Sequence, residues 1–217
     1  ARFRLSNLDT NVATILITDS DGRAVSSPVP IGGIGTDGAV SLYHFRIQEV
    51  EAPDGYLLDP TVHDFQFNIK TDQYQTLTYQ YEAADSPNKV IISKKQLTTK
   101  EELPGASLEV RRVTEMVDKD GTVIRIDGDV IESWISTEVP HELECLTEGL
   151  YVLIETRAPE GYIEAEKVYF TISGNMTVAD IPMVEMFDDD TKIEIRKVDN
   201  ETGNPLKGAK MQLILEA

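Results

Sequence analysis

The feature that most constrains this chain is that it repeats itself. "NKVIISKKQLTTKEELPGASLEV", residues 88–110, aligns without a gap to "TKIEIRKVDNETGNPLKGAKMQL", residues 191–213, at an offset of 103. "EAPDGYLL" at 51–58 pairs with "RAPEGYIE" at 157–164, an offset of 106, and "FQFNI" at 65–69 pairs with "VYFTI" at 168–172. "ARFRL" at the N-terminus matches "ASLEV" from Ala106 and "AKMQL" from Ala209. Self-similarity at a fixed period marks an array of stacked units, so one architecture must serve them all. The expected units are 1–87, a repeat lacking its first strand; 88–190, a complete repeat; and 191–217, the first strand of a third. Connectors are short, so neighbouring repeats should sit end to end and contact one another. The chain starts at Ala1 rather than Met, and its ends are expected to be cuts in a longer protein.

Inside a unit the local signals are all β. Alternating runs such as "FRIQE", "VIISK", "TLTYQY" and "KVYFTI" are separated by "DSDG", "DKDG", "PDG", "PEG" and "SGN" turns. No window has a helical period. About seven strands in roughly 100 residues, with turns every 8–12, predict tandem Ig-like β-sandwich domains.

The phase of the alternation raises a question of charge. In "YVLIE", Tyr151, Leu153 and Glu155 share one face; in "FRIQE", Phe45, Ile47 and Glu49 do the same. Val90, Ile92 and Lys94 share a face of the first strand, which leaves Lys95 to solvent, and Val184, Met186 and Asp188 share a face of the last. Tyr79, Tyr81, Ala83 and Asp85 repeat the last-strand pattern in the first unit, and Ile193, Ile195 and Lys197 the first-strand pattern in the third. Buried charges are costly unless paired. A buried salt-bridge triad, or strand-end side chains reaching into water, is the plain explanation for any one of them. Recurrence in phase across units favours a chemical one. An apolar site favours a neutral amine and a neutral carboxylic acid, which are a nucleophile and an electrophile. A second acid, Glu155, can carry protons between them. Held in contact, Lys94 and Asp188 would lose water and form an amide between first and last strands.

These segments, above all "IETRAPEGY" and "IQEVEAPDGY" with "ELPGA" after the lysine strand, resemble the B-type repeats of Gram-positive surface adhesins and pilins. That family comprises the Cna protein B-type, or SpaA-like, domains. The resemblance implies a prealbumin-like sandwich with a spontaneous intradomain isopeptide bond. Lys94 would be the nucleophile, Glu155 the catalytic acid and Asp188 the acceptor. Strand phase favours Asp188 over Asp189. Glu49 and Asp85 match the acid and the acceptor in the first unit, although "YEAADSPN" departs from the usual pattern, and Lys197 matches the lysine of the third.

Other constellations carry less. A net charge of −18 argues against nucleic-acid and anionic-membrane partners, and no stretch approaches the length of an apolar membrane span. "DSDG" and "DKDG" lack the further ligands of a calcium loop and are expected to be hairpin turns. "LPGAS" lacks the rest of a sorting signal. His44, His63 and His141 have no metal-ligand spacing, so neither metal nor cofactor is expected. Cys145, the single cysteine, is expected to be a small buried hydrophobe, and Trp134 a core residue rather than a sugar-stacking one. The expected function is that of structural stalk or spacer repeats in an extracellular, cell-wall-anchored protein. The alternative is an adhesive module that grips a host protein or glycan through the Gly/Ser/Pro-rich insertion at 23–40. One self-directed bond per domain would not make the chain an enzyme.

Overall fold

The computed structural model describes residues 1–34, 36–67 and 77–212. Thirteen strands follow in chain order: β1 Arg2–Asn7, β2 Val12–Ile17, β3 Gly32–Ile34, β4 Val40–Leu42, β5 His44–Glu51, β6 Val62–Gln66 and β7 Lys89–Gln96. Then come β8 Ser107–Val117, β9 Val123–Ile135, β10 His141–Glu144, β11 Gly149–Arg157, β12 Val168–Ile172 and β13 Met183–Asp188. A single 3₁₀ turn, Val178–Asp180, is the helical content of the described residues. The expected all-β architecture forms.

The seven strands from β7 to β13 make two sheets, ordered β10-β7-β13 and β12-β11-β8-β9. β7 is the centre of the smaller sheet, antiparallel to β10 and parallel to β13. Val90, Ile92, Leu143, Val184 and Met186 from this sheet meet Leu108, Val110, Tyr151, Leu153, Phe170 and Ile172 from the other. Alternation generates this core: in β13, Val184, Met186 and Asp188 are buried while Met183 and Glu185 are exposed. Trp134 is half-buried against the core and stacks on His141, with ring centroids 4.3 Å apart.

The first unit has one sheet of the same kind, ordered β2-β1-β5-β6. The expected strand over 76–81 does not form at 77–81; Thr76 lies outside the described residues. From Tyr81 to Pro87 every second residue is turned inward, as the pattern predicts, but no ladder forms. The reason is the missing neighbour. β13 is a strand because β7 pairs with it, and no described strand occupies that place beside 81–87. In the matched pair "FQFNI" and "VYFTI", Asn68 and Ile69 lie outside the described residues.

Turn chemistry is shared between units. Asp118 Oδ1 accepts the N–H groups of Asp120 and Thr122 at 2.9 and 2.8 Å; Asp19 Oδ1 accepts those of Asp21 and Arg23, both at 2.9 Å. Gly121 and Gly22 take the left-handed backbone each turn requires, φ 83° and 72°. Both aspartates thus close their turns. The insertion at 23–40 is irregular over 24–31. It then becomes regular, because β3 and β4 pair as a hairpin. Asp37 supplies the closure, its Oδ1 accepting the Ala39 N–H at 3.0 Å.

The two units touch directly. Leu58 N donates to Met176 O at 2.7 Å, Asn88 N to Gly55 O at 2.9 Å, and Leu57 joins the hydrophobic cluster of the second unit. Gly55, at φ 83°, has Cys145 so close that an added Cβ would lie 3.3 Å from its Cα. Cys145 itself corrects the expectation of burial, since its side chain is exposed. A left-handed turn at φ 57° interrupts the alternation there, so that Leu143 and Leu146 take the inward places.

Candidate functional site

The site is assembled from three strands. Lys94 sits near the end of β7, Asp188 ends β13 on the neighbouring strand, and Glu155 reaches across from β11 in the opposite sheet. In the parallel register Lys94 stands opposite Met186, so its four-carbon stem runs along the sheet to meet Asp188 two residues on. All three side chains are shut off from water, at 2% exposure or less. Lys94 Nζ donates to Asp188 Oδ1 and lies 3.1 Å from Glu155 Oε1.

Glu155 is held by its other oxygen: Oε2 accepts the Ala165 N–H at 2.7 Å. Its Oε1 approaches the amine without an aligned hydrogen bond, and Asp188 Oδ2 likewise has no hydrogen-bond partner among the described residues. Burial pushes the Asp188 carboxyl up to about 6; the bond from Lys94 opposes this and the neighbouring Glu155 reinforces it. The arrangement offers an amine, a carboxyl biased toward its protonated form and a second carboxylate between sheets, with water excluded. Asp189 is exposed and outside the cluster. Lys95 points outward and pairs with Glu185 at 2.5 Å.

The first unit reproduces half of this. Glu49 is buried, at 4% exposure, and its Oε2 accepts the Asp59 N–H at 2.9 Å, the counterpart of the Glu155–Ala165 bond. Asp85 lies close enough that its charge adds to burial in pushing the Glu49 carboxyl above its ordinary value. Glu49 Oε1 and Asp85 Oδ1 are both buried without a hydrogen-bond partner among the described residues. Lys197 is exposed. The segment 191–197 is exposed and forms no strand, since no described strand flanks it as β10 and β13 flank β7. Residues 213–217 lie outside the described residues.

Sequence reasoning missed the backbone N–H that orients each glutamate. The signal was present, because ten residues separate donor from acid in both units. It also missed Asn88, a buried amide whose Nδ2 and Oδ1 bond Leu146 O and N at 2.7 and 2.9 Å, and Ser136, which bridges Leu103 O and Ala106 N. No group of three or more His, Cys, Asp or Glu suited to a metal ion occurs among the described residues. No described helix is long and apolar enough to cross a membrane.

No curated protein matches the chain. Among solved structures, the Bacillus anthracis TIE protein aligns at 22% identity and TM-score 0.41, over 88% of this chain and 30% of that one. Shaft pilin SpaA from Lactobacillus rhamnosus GG aligns at 16% identity and TM-score 0.38, over 89% of this chain and 86% of that one. The major pilin SpaD from Corynebacterium diphtheriae aligns at 14% identity and TM-score 0.33, over 48% of this chain and 30% of that one. The chain thus spans less than a third of the TIE protein. The model of the SpaA prealbumin-like fold domain matches residues 88–185. The second unit of this chain therefore belongs to the SpaA prealbumin-like fold domains.

Proposed function

We propose that this chain is a stalk segment of a pilin-like protein on the outside of a cell-wall-bearing cell, and that its second unit closes a Lys94–Asp188 isopeptide bond. The observation that carries this reading is the water-free contact of the Lys94 amine with Asp188 and Glu155. Lys94 Nζ adds to Asp188 Cγ, one Asp188 C–O bond breaks, and the oxygen departs as water with two protons passed through Glu155. Glu155 is restored at the end, its position kept by Ala165. Because the fold holds the groups in contact, proximity takes the place of an external activating agent.

The bond would close a loop spanning 94 residues, which by analogy with disulfides contributes about 4–5 kcal/mol through the unfolded chain. It would also set the path of force. β7 and β13 are parallel neighbours, so tension entering at Lys89 and leaving at Asp188 shears them past each other. A covalent bridge at Lys94 takes that load, and the intervening strands carry little of it. No catalytic turnover follows, because the product is the protein itself.

Intact-mass measurement tests the reading. The chain should be one water lighter than its sequence, and Lys94→Ala or Glu155→Ala should restore the full mass. A full-mass folded wild-type chain overturns the bond.

An adhesive role is favoured by one observation, the exposed apolar side chains of Val25 and Ile34 at 83% and 80%. It predicts binding to a host protein or glycan that deletion of 23–40 abolishes, in a direct binding assay.

A further inference from the structure

The loop that follows the buried glutamate of unit one serves two repeats at once. Leu57 is 6% exposed, and every other buried member of its hydrophobic cluster lies between Val90 and Met186, in unit two. Leu5 and Phe45, the buried apolar residues of unit one's own sheet, are outside that cluster. By its packing Leu57 is a residue of the second sandwich.

Its neighbours hold it there. Gly55 O accepts the Asn88 N–H at 2.9 Å, and Leu58 N donates to Met176 O at 2.7 Å. Asn175 sits in the left-handed region at φ 54°, and its Oδ1 accepts the Ala52 N–H at 3.2 Å. Leu57 thus enters between segment 145–146, against which Gly55 lies, and segment 175–176. Each segment contributes a buried member to the same cluster, Leu146 and Met176. Asn88 braces this socket, its side chain bonding both N and O of Leu146.

The next residue turns back to unit one. Asp59 N donates to Glu49 Oε2 at 2.9 Å, and Asp59 Oδ1 accepts the Thr61 N–H at 2.9 Å. Residues 57 and 58 therefore bind unit two, and residue 59 holds the acid of unit one. Successive Cα atoms are only ~3.8 Å apart, and a hydrogen bond of this length is lost on a stretch of roughly 0.5 Å. A shift of the docked residues too small to open the joint is enough to part Asp59 from Glu49.

We propose that the two repeats are energetically coupled through residues 57–59: Leu57 completes the core of unit two, and the docked core of unit two holds the Asp59 N–H on Glu49. Such coupling is reciprocal, so a change on either side is read on the other. In the stalk proposed above, adjoining repeats then resist bending and unfolding as a pair. The coupling runs through core packing and main-chain bonds. It does not depend on the Lys94–Asp188 bond, whose presence the intact mass of each variant reports separately.

Trp134, the single tryptophan, lies in unit two, so its fluorescence follows that unit alone. In the intact chain Leu57→Ala, a change in unit one, should lower the denaturant midpoint of the Trp134 transition. Leu57→Val should lower it less, and Leu57→Met, which nearly conserves volume, should leave it close to wild type. In the opposite direction Met176→Ala, or the milder Met176→Val, changes unit two and should speed native-state amide exchange at Asp59 several-fold. The amides that pair β1 with β5 should keep their protection. A Trp134 transition that Leu57→Ala and Leu57→Val leave unmoved overturns the proposal, as does Asp59 exchange that neither Met176 variant changes. Equal acceleration across β1 and β5 also overturns it, because unit one would then be loosening as a whole.

Discussion

β5 and β11 carry the same inward sequence type, Phe45-x-Ile47-x-Glu49 and Tyr151-x-Leu153-x-Glu155, and each glutamate is fixed by a backbone N–H ten residues on. Around β11 a second sheet closes the core, and Leu153 is fully buried. Around β5 that sheet is absent among the described residues, and Ile47 is only half-buried. Glu49 is nonetheless buried. The comparison separates two things that look like one in the finished domain. Hiding the acid needs one sheet and the loop that folds back on it, whereas hiding a lysine beside it needs the central strand of a second sheet.

The sharpest break of this comparison is Lys94→Ala. In an unlinked site it leaves Glu155 and Asp188 buried without a cation, a change that costs about 3–5 kcal/mol; in a linked site it removes the proposed cross-link instead. Denaturant unfolding should show a large loss confined to the second unit. Core truncation comes next: Leu153→Ala should cost about 2–5 kcal/mol because its cavity is enclosed, and Ile47→Ala distinctly less, as read by the unfolding transition of each unit.

A pH experiment separates reacted from unreacted sites. In a chain kept unreacted by Glu155→Gln, burial still holds the Asp188 carboxyl above its ordinary value, the full cluster placing it at about 6. The folded state then binds the proton more tightly than the unfolded. The stabilisation from this group is complete below the ordinary carboxylate value and is lost as pH rises toward about 6. Under the proposed cross-link Asp188 of the wild type would no longer titrate, so that step should vanish. The raised titration of Glu49 should persist in both, visible by carboxyl NMR. The smallest effect is expected at the turns: Asp19→Ala and Asp118→Ala remove matching hydrogen bonds and should lower their units' melting temperatures slightly and by similar amounts.

Much of the site was legible in strand phase. Alternation alone put Lys94, Glu155 and Asp188 inside and Lys95 outside, because a strand's side chains leave its two faces in turn. It failed where the backbone leaves that rule or where pairing decides. Cys145 followed the pattern in sequence but sits at a left-handed turn. Residues 77–81 and 191–197 carry strand patterns without becoming strands, since a β-ladder is a property of two segments and no described strand lies beside either. The β3–β4 hairpin was hidden in a stretch rich in glycine, serine and proline, whose composition resembles that of a plain loop.

The amino-acid order by itself determined the period of the array, the inward phase of each ionisable group and the turns that separate strands, because these depend on residues close along the chain. The tertiary structure decided that positions 94, 155 and 188 meet, that Asp188 and not Asp189 faces the amine, and that Glu49 and Asp85 are neighbours in the first unit. Those outcomes depend on which strands lie side by side and which sheet faces which, and that is settled by burial of the shared core rather than by any local pattern.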